Sequence, residues 1–375
     1  MKKLLYILSL AAIFAALALP ALGFDPATPP AQRNAILFSW DGAQREHMTD
    51  CLAKGELPNL AALIKEGGIV NIDISGHATD TKAGHTQMLT GLDPDVTGVM
   101  SNSKFKAIPE GCSIFEKLEK QFGDDNITTI MLTGKTHHVG SCPASTPEQI
   151  AEAKKKLATL PKVKGAGNRK LARAGARAGA RANAAKTGLV DPDAAVLAKK
   201  PKSAERQKLN GIIQNTDGEP FFNVSKAIDV WDGEKSRAYE VNGPLMLGYL
   251  DKCGKGRFFA FFHFSDPDHM GHGHGENSSQ YNDAIINCDK ELGDCVKKLK
   301  ALGIYDKTMV FVNADHGFDE GKTSHSNAPY VVLAANMKSL TRNGHQRDIV
   351  PTILAEMGVD VSKIEPAFKG NVLTK

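Results

Sequence analysis

At 375 residues, with 42% apolar and 23% charged positions, the chain has the composition of a globular protein with one large core, alone or with a cap. That composition excludes a low-complexity or fibrous chain. The net charge of +4 hides a split: residues 151–202 carry 14 Lys+Arg against 3 Asp+Glu, and the remainder carries 32 against 39.

The opening MKKLLYILSLAAIFAALALPALGF has two lysines, an apolar run from Leu4 to Leu19 and a small-residue end. This is the pattern of a secretory signal peptide over residues 1–23, and the run is short for a membrane span. The expectation is a secreted or periplasmic protein with no stable membrane insertion after cleavage. Export makes disulfides feasible among Cys51, Cys112, Cys142, Cys253, Cys288 and Cys295. Cys288 and Cys295 fall in one apparent helix, about 10 Å apart along a straight axis, too far to pair with each other.

AILFSW (35–40) reads as a buried strand ended by Asp41. PNLAALIKEGG (58–68) reads as a helix, GIVNIDIS (68–75) as a strand and HTQMLTG (85–91) as a short helix. SIFEKLEKQFG (113–123) follows as a helix and ITTIMLTGK (127–135) as a strand. Then come a strand at RFFAFFHFS (257–265), a long helix at 281–303, strands at 308–314 and 330–336, and a helix at 347–358. Alternation of helices with continuous apolar strands predicts an α/β fold with a mainly parallel sheet covered on both faces. The expected organisation is two catalytic parts, 24–144 and 216–375, separated by a basic insert or cap at 145–215. Within the insert, ARAGARAGARAN (172–183) repeats every four residues. It offers a polyanion contact or a plain exposed loop, and the lack of interleaved aromatics favours the loop.

The chemistry collects at strand ends. Asp41, Asp268 and Asp315 each follow an apolar strand, at the edge where open α/β sheets bind ligands. His272 lies four residues after Asp268, His316 adjoins Asp315, and His325 follows in a Gly/Ser loop. Taken alone, FSDPDHMGHGHGEN (264–277) would be a solvated turn; the shared edge makes it a metal-site candidate. Carboxylate and imidazole without thiolate suit Zn²⁺, Mn²⁺ or Fe. Three acids and three histidines suffice for two divalent ions, which together suit phosphoryl transfer. A nucleophile is expected in HATDTKAGHTQMLTGLDPDVTGVMSN (77–102), where Thr81 and Thr79 compete.

The segments LFSWDG, PNLAALIKEGG, TKAGHTQMLTGLDPDVTGV, DPDHMGH, NADHGF, TSHSNAPYVV and RDIVPTILAEMG resemble the alkaline phosphatase superfamily. Within it they resemble the type I phosphodiesterase/nucleotide pyrophosphatase branch, from about Ala35 to the C-terminus with residues 145–215 interrupting. The resemblance implies an alkaline phosphatase-like fold and Thr81, ten residues before Gly91, as nucleophile. It implies one metal on Asp268, His272 and His325, and a second on Asp41, Thr81, Asp315 and His316. Asn102 and the Lys82 amide would bind a phosphoryl oxygen. Asp266, His269 and His274 are expected in supporting or loop roles, and His85 and His263 in structural ones.

The implied activity is hydrolysis of a small phosphodiester through a phosphothreonine, with phosphate monoesters and phosphonates as alternatives. A metal-stabilised polyanion-binding protein is the non-enzyme alternative. Position 82 departs from the branch, where an aromatic commonly follows the nucleophile. Lys82, with Lys135, could favour a monoester dianion. TKAGH lacks the C/S-x-P-x-R needed by sulfatases.

Overall fold

The apolar runs form the sheet that their composition predicts. The computed structural model describes residues 23–136, 138–160, 201–233, 236–254 and 256–375. The expected signal peptide, residues 1–23, therefore lies outside the described residues but for Gly23, as does the ARAGARAGARAN repeat.

The strands are β1 (Asn34–Trp40), β2 (Gly68–Asp73), β3 (Thr128–Leu132), β4 (Val230–Asp232), β5 (Phe258–Phe264), β6 (Thr308–Asn313), β7 (Tyr330–Ala335) and β8 (Gly344–His345). They lie in the order β4-β3-β5-β1-β6-β7-β2-β8. The run from β4 to β6 is parallel, β7 is antiparallel to both β6 and β2, and β8 is parallel to β2. Strands from both sides of 145–215 therefore share one sheet.

The α-helices are α1 (Arg45–Ala53), α2 (Pro58–Glu66), α3 (Thr81–Thr90), α4 (Pro94–Thr97), α5 (Ile114–Phe122), α6 (Pro147–Thr159), α7 (Pro201–Gln214), α8 (Tyr239–Cys253), α9 (Asp266–His274), α10 (Ser279–Ala301) and α11 (Ile349–Glu356). They cover both faces, and every residue of β1, β5 and β6 is buried. Phe258, Phe259, Phe261, Phe262 and Phe264 of β5 are fully inside, each stabilising by about 1.5–3 kcal/mol relative to exposure. α6 and α7 pack against each other on either side of 161–200.

Two local readings change. The stretch 264–277 is not a loop: Pro267, at the first turn, opens helix α9. The helix expected at 85–91 begins at Thr81, with Asp80 as N-cap, and all ten of its residues are buried. The six cysteines are all free thiols, and Cys288 and Cys295 both lie in α10. No helix among the described residues is long and apolar enough to cross a membrane.

Candidate active site

Four adjacent parallel strands end at one place. Asp41 directly follows β1, Asp268 lies in the first turn of α9 after β5, Asp315 follows β6, and Lys135 follows β3. Helix α3 brings Thr81 to the same edge. Its close approach needs Gly84, because a Cβ there would stand 2.2 Å from the Asp315 carbonyl oxygen.

The three carboxylates share a pattern. Asp41 Oδ2 accepts from Lys135 Nζ and His263 Nε2, each at 2.8 Å. Asp268 Oδ2 accepts from Lys135 Nζ at 2.6 Å, and Asp315 Oδ1 from the Gly42 amide at 3.1 Å. The second oxygen of each acid (Asp41 Oδ1, Asp268 Oδ1 and Asp315 Oδ2) is buried and accepts no hydrogen bond among the described residues. Those orphaned oxygens face imidazoles. His316 Nε2 is 3.6 Å from Asp41 Oδ1, 3.4 Å from Asp315 Oδ2 and 4.0 Å from Asp268 Oδ1. Asp268 Oδ1 is also 3.3 Å from His272 Nε2 and 3.8 Å from His325 Nε2.

The histidine partners assign tautomers. A backbone carbonyl only accepts, so a ring nitrogen bonded to one carries the proton. Nδ1 of His272, His316 and His325 donates to the carbonyls of Thr323, Gly317 and Thr79, at 2.9, 2.9 and 2.6 Å. In the neutral rings, Nε2 is then left as a bare lone pair, the arrangement typical of metal-ligating histidine. Nε2 of His272 and His325 face each other at 3.1 Å, and two lone pairs so placed call for a cation between them. Burial and the neighbouring His316 lower the pKa of His325 to about 4, which keeps its ring neutral. For His316 burial is outweighed by Asp315, Asp41 and Asp268, which raise its pKa, and the Asp268 hydrogen bond raises that of His272; a metal cation would have to displace the Nε2 proton from those two rings.

His263 has the opposite tautomer. Its Nδ1 accepts from the Gly134 amide at 3.1 Å, so Nε2 carries the proton given to Asp41. His85 donates from Nδ1 to the Thr81 carbonyl at 2.9 Å and meets Ser39 Oγ through Nε2 at 2.8 Å. Distance alone would let Asp41, His85 and His263 hold an ion. Their hydrogen bonds assign both histidines to supporting roles. The groups Asp268/His316/His325 and Asp41/Asp315/His316 fit cations better, since orphaned oxygens and bare nitrogens converge there.

Charge agrees with this division. Burial would raise the pKa of Asp41 and Asp268, but Lys135 together with the neighbouring histidines, His263 and His316 for Asp41 and His272 and His316 for Asp268, outweighs it and holds both below the usual carboxylate range. Asp315 lacks so close a cation; burial and then Asp41 push its carboxyl up to about 7.

Thr81 Oγ1 is buried 3.4 Å from Lys135 Nζ and 3.5 Å from His316 Nε2. Thr79 instead gives its hydroxyl to the His325 carbonyl, which leaves Thr81 as the hydroxyl facing the acids. Asn102 lies beside it: its backbone amide donates to Asp80 Oδ2 at 2.8 Å, and its Oδ1 accepts from the Lys82 amide at 2.8 Å. The Lys82 amide is therefore occupied in orienting Asn102 and is not an open phosphoryl-oxygen donor. Nor does the Lys82 ammonium stand with the acids, since it lies over the Phe105 ring at 3.9 Å. Asp266 accepts from the Tyr239 amide at 3.3 Å and, like His269, His274 and His272, is absent from both ion-binding groups; His272 differs from the others in its 3.3 Å approach to the orphaned Asp268 Oδ1. Lys135, legible in the sequence only as a cation that could favour a monoester dianion, stands between Asp41 and Asp268; its position at a strand end, like that of the acids, was the available signal for that pairing.

An edge-of-sheet site of acids and histidines on this mainly parallel sheet defines an alkaline phosphatase-like protein. The chain belongs to the type I phosphodiesterase/nucleotide pyrophosphatase family, whose model matches residues 35–338. It is 22% identical over 286 residues to the bis(5'-adenosyl)-triphosphatase ENPP4 of Pongo abelii, covering 76% of this chain and 47% of that protein. It thus spans about half the length of that relative. A 2,3-bisphosphoglycerate-independent phosphoglycerate mutase of Clostridium perfringens is 27% identical over 169 residues, covering 40% of this chain and 31% of the mutase. Among solved structures, a putative sulfatase from Bacteroides thetaiotaomicron superposes with a TM-score of 0.55 at 12% identity, covering 91% of this chain and 74% of that one. The phosphonate monoester hydrolase of Silicibacter pomeroyi does so with 0.50 at 14%, covering 91% and 76%. At these identities the structural likeness speaks for the fold.

Proposed function

We propose that the protein is an exported hydrolase of small phosphate esters that uses two divalent cations and a phosphothreonine at Thr81. The observation that carries this reading is the convergence of three orphaned carboxylate oxygens with three bare imidazole nitrogens beside one buried hydroxyl. Asp268, His272 and His325 would hold one cation, and Asp41, Thr81, Asp315 and His316 the other. The donor set suits Zn²⁺ first, with Mn²⁺ or Fe also compatible. When bound, the cations supply Lewis acidity for the nucleophilic and leaving oxygens.

The chain's own residues divide the remaining work. Thr81 Oγ gives up its proton to solvent and attacks phosphorus, forming a P–O bond as the bond to the leaving oxygen breaks; that oxygen departs with the electron pair and takes up a proton to become the alcohol. The place of Thr81 at the N-terminus of α3 sets the phosphoryl group at the positive end of the helix dipole, which favours an anion. Asn102, with Oδ1 held by the Lys82 amide, has its Nδ2 available to donate to one of those oxygens. Water then cleaves the phosphothreonine and restores the hydroxyl.

The family makes an aryl phosphodiester the first substrate to assay, with the matching monoester and a phosphonate ester beside it. The full chain supplied with zinc is expected to turn over at least one of them. Chelation or Thr81→Ala should lower the rate by three orders of magnitude or more. Equal rates with and without Thr81 would refute the reading. Retained polyanion binding without turnover would support the binding-protein alternative, with 151–202 as its contact surface.

A further inference from the structure

Behind the acids lies a buried hydroxyl to which the proposed reaction gives no task. Tyr281, in the first turn of α10, is fully buried. Its ring packs at steep angles against His47 and Phe318, with centroids 4.8 and 5.5 Å away. Its hydroxyl donates to the Gly42 carbonyl at 2.6 Å and accepts from the Gln44 amide at 2.9 Å. A carbonyl only accepts and an amide N–H only donates, so both roles of the phenol are fixed.

The two backbone groups belong to the turn that follows β1. The Ala43 amide closes that turn on the Trp40 carbonyl at 3.0 Å, with Asp41 and Gly42 at its centre. Gly42 has a φ of +75°, and a Cβ there would stand 2.8 Å from Phe318 Cε2, so the turn needs glycine at this point. The Gly42 amide donates to Asp315 Oδ1 at 3.1 Å, which leaves Asp315 Oδ2 as the orphaned oxygen facing His316. One phenol thus holds the turn that carries Asp41 and orients Asp315.

We infer that Tyr281 is a positioning residue for the cation proposed on Asp41, Thr81, Asp315 and His316, and not for the cation proposed on Asp268, His272 and His325. This rests on the two-cation reading above. The second set is held by other groups: Lys135 on Asp268, and the Thr323 and Thr79 carbonyls on the two histidines. Without the hydroxyl, the Gly42 carbonyl and the Gln44 amide lose their partner, and the turn must shift to find others. Asp41 and Asp315 would shift with it.

The test deletes the hydroxyl and keeps the ring, with Tyr281→Phe. Tyr305→Phe is the control, since that phenol donates to Glu66 Oε2 at 2.6 Å at the other end of β6. Zinc is titrated into each metal-free full chain in competition with a chromophoric chelator, and the wild type should show two sites. Tyr281→Phe should weaken one of them by about 10–100-fold, the usual effect of losing a partner that orients a ligand, and leave the other within about threefold. The site that does not move also reports that the variant is folded. Tyr305→Phe should move neither. On an Asp315→Asn background, which removes a ligand of the affected site, Tyr281→Phe should have no further effect on the remaining one. Turnover of an aryl phosphate ester by Tyr281→Phe should fall at limiting zinc and recover at saturating zinc, with KM unchanged.

Two unchanged affinities, or two affinities lowered equally, would overturn the inference. A wild type that takes up fewer than two zinc ions would overturn it together with the two-cation reading. Two-site binding without turnover of any ester would count against the proposed hydrolysis alone, and the titration would still decide the role of Tyr281.

Discussion

Which side chains would serve as ligands in the proposed metal site is written in hydrogen bonds made on the far side of each side chain. His272, His316 and His325 give Nδ1–H to backbone carbonyls and so present Nε2. His263 receives the Gly134 amide at Nδ1 and so presents a proton to Asp41. Residue type and spacing cannot distinguish these cases, which is why His85 and His263 were legible only as structural. The prediction at this scale follows from the orientation of a ligand by its neighbour. His263→Ala should weaken zinc binding by 10–100-fold through Asp41, while the other ligand positions stay in place. Competition with a chromophoric chelator measures it, and unchanged affinity would show that Asp41 needs no such support.

Elements were legible where pattern and burial agree. The continuous apolar runs of β1, β5 and β6 announced central strands, and the Asp after each announced the site. Helix α3 was half-missed because it is buried all round and so lacks an amphipathic period. Helix α8, interrupted by Pro244, and α9, with glycines at 271 and 273, carry weak helix formers at the positions that matter. The Asp-Pro start of α9 was the signal that could have found it.

The turn after α3 is tied to the C-terminal part by Asp93, which accepts from Arg347 at 3.1 Å and lies 3.2 Å from Lys369. Burial would raise the Asp93 pKa, but Arg347 and Lys369 outweigh it and hold the carboxyl below its ordinary value. A folded pKa below the unfolded one gives stability present above the unfolded pKa of about 4 and lost as pH falls through the folded value. Asp93→Asn should therefore cost about 1 kcal/mol at pH 7, a figure kept small by solvent screening of the partly exposed partners. Urea unfolding of both proteins should show the gap closing as pH falls below about 4. A gap that persisted in acid would assign the loss to packing instead.

At the scale of the molecule, residues distant in sequence make one site because parallel strands deliver them to one edge. That convergence was legible from the acids alone. Lys135 was legible as a cation that could favour a monoester dianion but not as the partner of Asp41 and Asp268, because one lysine after one strand carries no pairing pattern. Gathering three buried acids around one ammonium leaves excess negative charge that a bound dication would offset. Zinc at about 1,000 times its Kd should stabilise the fold by about 4 kcal/mol, and a chelator should reverse the gain. Thermal unfolding with and without chelator checks this; equal midpoints would argue against a resident metal.

The central claim is that Thr81 carries the phosphoryl group between substrate and water. The direct measurement is mass spectrometry of the zinc-loaded protein quenched in acid during turnover of an aryl phosphate ester. One phosphoryl group is expected on the peptide containing Thr81, absent after chelation and absent in Thr81→Ala. Turnover with no phosphorylated Thr81, or with the group on Thr79, would contradict it.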